Sequence, residues 1–109
     1  AWNAPTVDER AQALRHALTP DIVYIDPHAG ELQGIEAVRT LVEQFRSKFD
    51  YPLEATGHLD VHHQLFRLPW RLGDLAQGVL SHGTFVGEFN VAGQILRLWV
   101  FLDGKQAGD

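Results

Sequence analysis

The spacing of hydrophobic residues separates a mainly helical first half of the chain from a second half made of strands. Apolar side chains recur every three or four positions over about residues 7–18 and again over about residues 35–49, which predicts two amphipathic helices. Between them, residues 22–25 form a short β-branched and aromatic run that predicts a strand ending at Pro27. Residues 28–34 are expected to form a loop.

Beyond Pro52 the hydrophobic period changes to two, which is typical of strands. The alternation predicts four strands, over residues 53–62, 64–72, 78–89 and 94–102. Turn-forming residues at 73–74 and 90–93 separate consecutive strands, and such short connections favour antiparallel neighbours. The pattern therefore predicts an α+β fold with helices packed on one face of an antiparallel sheet.

The last predicted strand is apolar on both faces. Leu98 and Val100 share one face, while Trp99 and Phe101 share the other. If the first face meets the helices, Trp99 and Phe101 form an exposed aromatic patch, and a homodimer through this outer sheet face is expected. The alternative is that Trp99 packs under a terminal segment. Sedimentation as a monomer at micromolar concentration would contradict the dimer.

Length, charge and composition exclude several classes of function. The 109 residues suit one domain over residues 1–109, and 45% hydrophobic residues with 21% charged residues are ordinary for a globular protein. A net charge of −5 without basic runs argues against a nucleic-acid partner. The absence of cysteine excludes disulfides and thiolate chemistry. No membrane span or signal pattern is found, so a cytoplasmic location is expected.

The order of elements and several short motifs resemble the nuclear transport factor 2-like (NTF2-like) superfamily. The motifs are Asp21-Ile-Val-Tyr-Ile-Asp-Pro27, Gly34 before the second helix, and Gly93-Gln-Ile95 before the last strand. Among its members, the chain resembles SnoaL-like proteins and steroid Δ5-3-ketoisomerases. The resemblance implies a cystatin-like α+β cone, in which helices wrap a bent sheet around a pocket, and often a dimer. It also implies a longer first helix, so residues 1–109 are expected to lack part of it.

The ketoisomerases allow a few residues to be transferred by resemblance. Their general base falls on Asp26, and their steroid pocket includes the segment that matches Leu68-Pro69-Trp70. Their oxyanion-hole carboxylic acid falls on Phe85, which cannot donate a hydrogen bond. Their oxyanion-hole tyrosine falls before residue 1. Ketosteroid isomerisation itself is therefore not expected.

Asp26 is the strongest candidate for catalysis. Tyr24 and Asp26 share a strand face, and a carboxylate at an apolar rim could abstract a proton next to a carbonyl. His28, two residues further on, could assist it. The structural alternatives are that Asp26 closes a turn, as Asp before Pro often does, and that His28 is an exposed loop residue.

The predicted ligand is a flat apolar small molecule. The side chains expected to line its pocket are Tyr24, Phe66, Leu68, Trp70, Phe85, Leu98 and Val100. Such aromatics can equally be plain core. His58, Asp60 and His62 alternate on one strand face that should point to water, because Leu59 and Val61 on the opposite face should be buried, so neither metal nor cofactor is expected. Two functions remain open: an isomerase, cyclase or lyase using Asp26 as base, or a non-catalytic binding or dimerisation module.

Overall fold

The structure is a computed structural model that describes residues 3, 5–48, 51–74 and 78–103. It contains two helices and seven strands within these ranges. In chain order the elements are α1 (Val7–Ala17), β1 (Leu18–Asp26), β2 (Gly30–Gln33), α2 (Ile35–Lys48), β3 (Leu53–Ala55), β4 (Asp60–His62), β5 (Leu65–Asp74), β6 (Gly78–Phe89) and β7 (Ile95–Leu102). The α+β class predicted from the sequence is confirmed.

Both predicted helices are present, and the predicted end of the second, at residue 49, lies outside the described residues. The Thr6 side chain accepts a hydrogen bond from the backbone N–H of Glu9 at 3.1 Å, which is the N-cap that the sequence pattern predicts. Helix α1 ends at Ala17 and passes directly into β1. Neither helix in the described ranges is long and apolar enough to cross a membrane.

Strand β1 begins four residues earlier than predicted, at Leu18. Its pairing with β7 shifts register between Leu18 and Val23, and this irregularity accommodates Pro20, which has no N–H for a ladder. The predicted loop over residues 28–34 was wrong in part, because Gly30–Gln33 pairs with β1 as the second strand of a tight hairpin. Gly30 has φ +73°, a left-handed conformation that glycine adopts without a steric cost.

The predicted strand over residues 53–62 is two strands, β3 and β4, which run along the same edge of β5. Pro69 lies opposite the gap between them: its carbonyl accepts a hydrogen bond from the Thr56 N–H, but it has no N–H to give in return. Strand β5 also continues through residues 73–74, which were predicted to be a turn. The predicted turn over residues 90–93 is confirmed.

The strands form one open sheet in the order β2-β1-β7-β6-β5-β3, with β4 also paired to β5. All neighbours are antiparallel except β1 and β7, which pair in parallel. The sequence pattern predicted an antiparallel sheet, and this prediction was wrong for the β1–β7 pair. The parallel pair joins the first strand to the last and brings Tyr24 beside Leu98.

The helices cover one face of the sheet at the β1 and β7 side. Leu14 of α1 and Val38 and Val42 of α2 form a buried cluster with Leu18 and Ile22. Partly buried hydrophobic side chains packed against this cluster are Ala17, Tyr24, Ile35, Ile95 and Leu98. We call the sheet face that bears Tyr24 and Leu98 the inner face and the opposite one the outer face. The inner face carries the core of the molecule.

A buried ion pair fastens the two helices to each other. Arg10 of α1 donates from Nε to Glu43 Oε2 at 2.7 Å and from Nη2 to Glu43 Oε1 at 2.8 Å. The Arg10 side chain is only 9% exposed. The Arg10 hydrogen bond is the main cause that holds the pKa of Glu43 below its ordinary value, against partial burial that raises it.

Candidate functional site

The side chains predicted to line a pocket all lie on the inner face. The cross-strand pairs Tyr24–Leu98, Leu98–Gly87 and Gly87–Phe66 form one row across four strands. A second row contains Val100, Phe85 and Leu68. Directly paired residues project from the same face of a sheet, so these rows and Trp70, two residues beyond Leu68, form one surface.

Two aromatic pairs dominate the β5–β6 part of the inner face. Phe66 stacks on Phe89 with ring centroids 4.6 Å apart, and Trp70 stacks on Phe85 with centroids 5.3 Å apart. Phe66 and Trp70 are buried. Phe89 shares the inner face with Phe85, as the alternation along β6 predicts, and its ring completes the first of these pairs.

Each buried aromatic ring lies over a glycine on β6. Phe66 is paired with Gly87, and Trp70 is paired with Gly83. A Cβ atom at position 83 would overlap the Phe101 carbonyl oxygen and lie 2.8 Å from Trp70 Cζ2, and one at position 87 would overlap the Phe66 ring. The two glycines therefore let the rings lie flat against the sheet.

Two open grooves occur on the described surface. One, of about 500 Å³, lies on the outer side and is lined by His58, Leu59, Asp60, Arg67, Pro69 and Thr84. The other, of about 660 Å³, lies beside the 90–93 turn and is lined by His16, Ala17, Phe89, Ala92, Gly93, Gln94 and Ile95. Phe89, which stacks on the buried Phe66, is the inner-face aromatic that borders the second groove.

Asp26 closes the β1–β2 hairpin. Its Oδ1 accepts hydrogen bonds from the backbone N–H groups of His28, at 2.8 Å, and Ala29. Its Oδ2 accepts a hydrogen bond from the Tyr24 hydroxyl at 2.7 Å. Asp26 therefore closes a turn through Oδ1, which is the structural alternative considered for Asp before Pro. Its Oδ2 points towards Tyr24.

Tyr24 links the hairpin turn to the core. Burial raises the pKa of the Tyr24 hydroxyl far above its ordinary value, and the hydrogen bond to Asp26 and the charge of that carboxylate add to the effect. Tyr24 therefore stays protonated and donates to Asp26 throughout the physiological pH range. The pair places a polar group at the edge of an otherwise apolar surface.

His28 lies exposed in the turn after Asp26. The contact that the structure gives it with Asp26 comes from its backbone N–H, and not from its imidazole ring. His28 therefore contributes its backbone N–H to the hydrogen bonds of Asp26, and no contact of its imidazole ring with Asp26 is found in the described residues.

The alternating polar residues at 58–62 lie at the sheet edge. Asp60 accepts a hydrogen bond from Arg67 at 2.8 Å, and His62 lies 3.1 Å from His63 between their Nδ1 atoms. No cluster of three or more potential metal ligands occurs in the described ranges. The expectation that Leu59 and Val61 are buried was wrong: they are 53% and 48% exposed, because β4 is a short edge strand.

Solved structures with the same architecture are found among bacterial proteins. A candidate isomerase of the SnoaL-like family from Agrobacterium tumefaciens is 29% identical with a TM-score of 0.84, over 94% of this chain and 88% of that one. An NTF2-like protein of unknown function from an Exiguobacterium species is 17% identical with a TM-score of 0.70, over 90% and 86%. A candidate SnoaL-like polyketide cyclase from a Jannaschia species is 16% identical with a TM-score of 0.73, over 88% and 74%. No protein-family model and no curated protein sequence matches the chain.

Proposed function

Because this chain belongs to the superfamily of NTF2-like and SnoaL-like proteins, we propose that it binds a small apolar molecule on the inner face of its sheet. The observation that carries the proposal is the continuous apolar surface of β5, β6 and β7, with the Tyr24–Asp26 pair as a polar group at its edge. A few polar groups beside apolar walls are typical of small-molecule sites. Phe85, Leu68 and Val100 are only partly buried, so this row is where a ligand would enter.

A matched pair of valines tests the location. Val100 lies on the inner face beside Phe85, whereas Val86 lies on the outer face beside Trp99. With 2-acetonaphthone as a flat apolar probe, Val100→Phe is expected to raise the Kd roughly tenfold or more, because the added ring occupies the same space. Val86→Phe adds the same volume and should leave the Kd unchanged. Equal affinities of both variants and the wild type, measured by calorimetry, would defeat the proposal.

Base catalysis by Asp26 is the second candidate function. It is favoured by Asp26 Oδ2, which faces Tyr24 on the inner side, and by the likeness to a candidate isomerase. The methyl protons of 2-acetonaphthone are adjacent to a carbonyl, so a positioned base would exchange them with D₂O. Wild-type protein is expected to accelerate this exchange, and Asp26→Asn to slow it about 100-fold while keeping an oxygen that accepts from the turn. The exchange is followed by NMR. A rate no faster than in buffer would contradict base catalysis and leave only the proposal of binding.

The outer face suits a second copy of the chain. Phe101 is 57% exposed there, and Trp99 is partly buried between Ile25 and Val86. We propose a homodimer that covers this apolar row, since an exposed patch of this kind usually marks an interface. Sedimentation is expected to give a dimer at micromolar concentration and a monomer for Phe101→Glu. A wild-type monomer at that concentration would contradict the dimer.

A further inference from the structure

The indole N–H of Trp70 is a buried donor without an acceptor. Trp70 is 5% exposed, and none of the described residues provides a hydrogen-bond partner for its Nε1. An indole N–H can only donate, and a buried donor left unpaired costs about 1–3 kcal/mol. Buried tryptophans usually satisfy this group, so its isolation on the proposed binding face calls for an explanation.

Two described neighbours of the indole, Gly83 and Phe85, have no side-chain acceptor for its N–H. Gly83, directly opposite on β6, has no side chain, and its backbone lies beneath the Cζ2 edge of the ring. Phe85 stacks on the indole at 27° between the ring planes, and its ring consists of carbon and hydrogen only. Phe85 is also partly exposed, so its rotation would be the route by which a ligand atom reaches the indole edge.

We propose that Trp70 Nε1 donates a hydrogen bond to an acceptor oxygen of the bound molecule. This inference rests on the proposed function and narrows its ligand class to flat apolar molecules that carry a carbonyl or ether oxygen. Trp70 then serves as the polar determinant inside the site, while Tyr24 and Asp26 mark its edge. A ligand without an acceptor leaves the donor unpaired and binds more weakly, because only an acceptor removes the cost of the buried N–H.

Two probes of nearly the same shape test the inference. In 2-acetonaphthone a carbonyl oxygen occupies the place of the terminal CH₂ of 2-isopropenylnaphthalene. The wild type is expected to bind the ketone about tenfold more tightly, and Trp70→Phe, which keeps an aromatic ring but has no donor, should bind both equally. Trp99→Phe on the outer face is the control and should keep the tenfold preference.

The indole resonance gives a second readout on the wild-type protein. The chain has three tryptophans, so loss of one ¹H–¹⁵N indole signal in Trp70→Phe and another in Trp99→Phe identifies both. The Trp70 N–H proton is expected to move downfield with the ketone only. Equal affinity for both probes, with the same Trp70 shift, would overturn the inference and leave the proposed site standing. Failure of both probes to bind would defeat the site and the inference together.

Discussion

Gly87→Ala is expected to lower the free energy of unfolding by about 3 kcal/mol, as measured by urea denaturation. The glycine lies beneath the Phe66 ring, and a Cβ atom there would overlap that ring and lie 3.0 Å from the Arg97 carbonyl oxygen. Because Phe66 is buried and stacked on Phe89, its ring cannot move aside without disturbing a second aromatic. We therefore expect Gly87→Ala to disturb both the pairing of the strands and the packing of aromatic rings on the inner face.

A second substitution separates this cause from a general intolerance of position 87. In a Phe66→Leu background most of the overlap disappears, while the backbone contact to Arg97 remains. Gly87→Ala should then cost less, with a coupling of about 1–2 kcal/mol between the two positions. The same cost in both backgrounds would mean that the aromatic ring is not what excludes a side chain.

Glu43→Ala is expected to destabilise the fold by about 3 kcal/mol, because it removes the Glu43 carboxylate from the buried Arg10 guanidinium. The matched control lies on the same helix. Glu36 pairs with Arg39 at 2.7 Å, but their side chains are 72% and 39% exposed. Glu36→Ala should therefore cost less than about 0.5 kcal/mol. Equal effects in thermal or urea unfolding would show that α1 and α2 do not depend on the buried pair.

The Glu43 contribution should also depend on pH in one direction. Its pKa in the folded chain is lowered from an ordinary value of 4.5, so the unfolded chain takes up a proton more readily. The stabilisation is complete above that ordinary value and is lost as the pH falls through the lowered folded value. The difference in unfolding free energy between wild type and Glu43→Ala should shrink below about pH 4.5. A difference that stays constant down to pH 3 would contradict this account.

The period of the hydrophobic pattern was enough to predict both helices and the faces of β5, β6 and β7. It could not predict where ladders break, because a break depends on the residue opposite. Pro69 lies on β5, yet its missing N–H interrupts the pairing on the neighbouring edge, at the gap between β3 and β4. Likewise Gly30–Gln33 has a single apolar residue, Leu32, and is a strand only because β1 lies beside it.

The sequence was enough to predict which residues of the candidate site share a sheet face, and less so what each of them does there. Alternation fixed which side chains share the inner face, and that much follows from strand geometry alone. The two readings of Asp26 differed by a hydrogen-bond network, and a single sequence cannot distinguish them. The unpaired indole N–H of Trp70 is still harder to predict, because it depends on the described residues around the ring providing no hydrogen-bond acceptor.

The most direct test of the account is the position of a bound probe. In a complex with 2-acetonaphthone, intermolecular NOEs are expected from the naphthalene protons to the methyl groups of Leu68 and Val100 on the inner face. None is expected to Val86 on the outer face, which lies on the neighbouring strand and so serves as an internal control. NOEs to Val86 without any to Leu68 or Val100 would show that the ligand binds elsewhere and would contradict the proposed inner-face site.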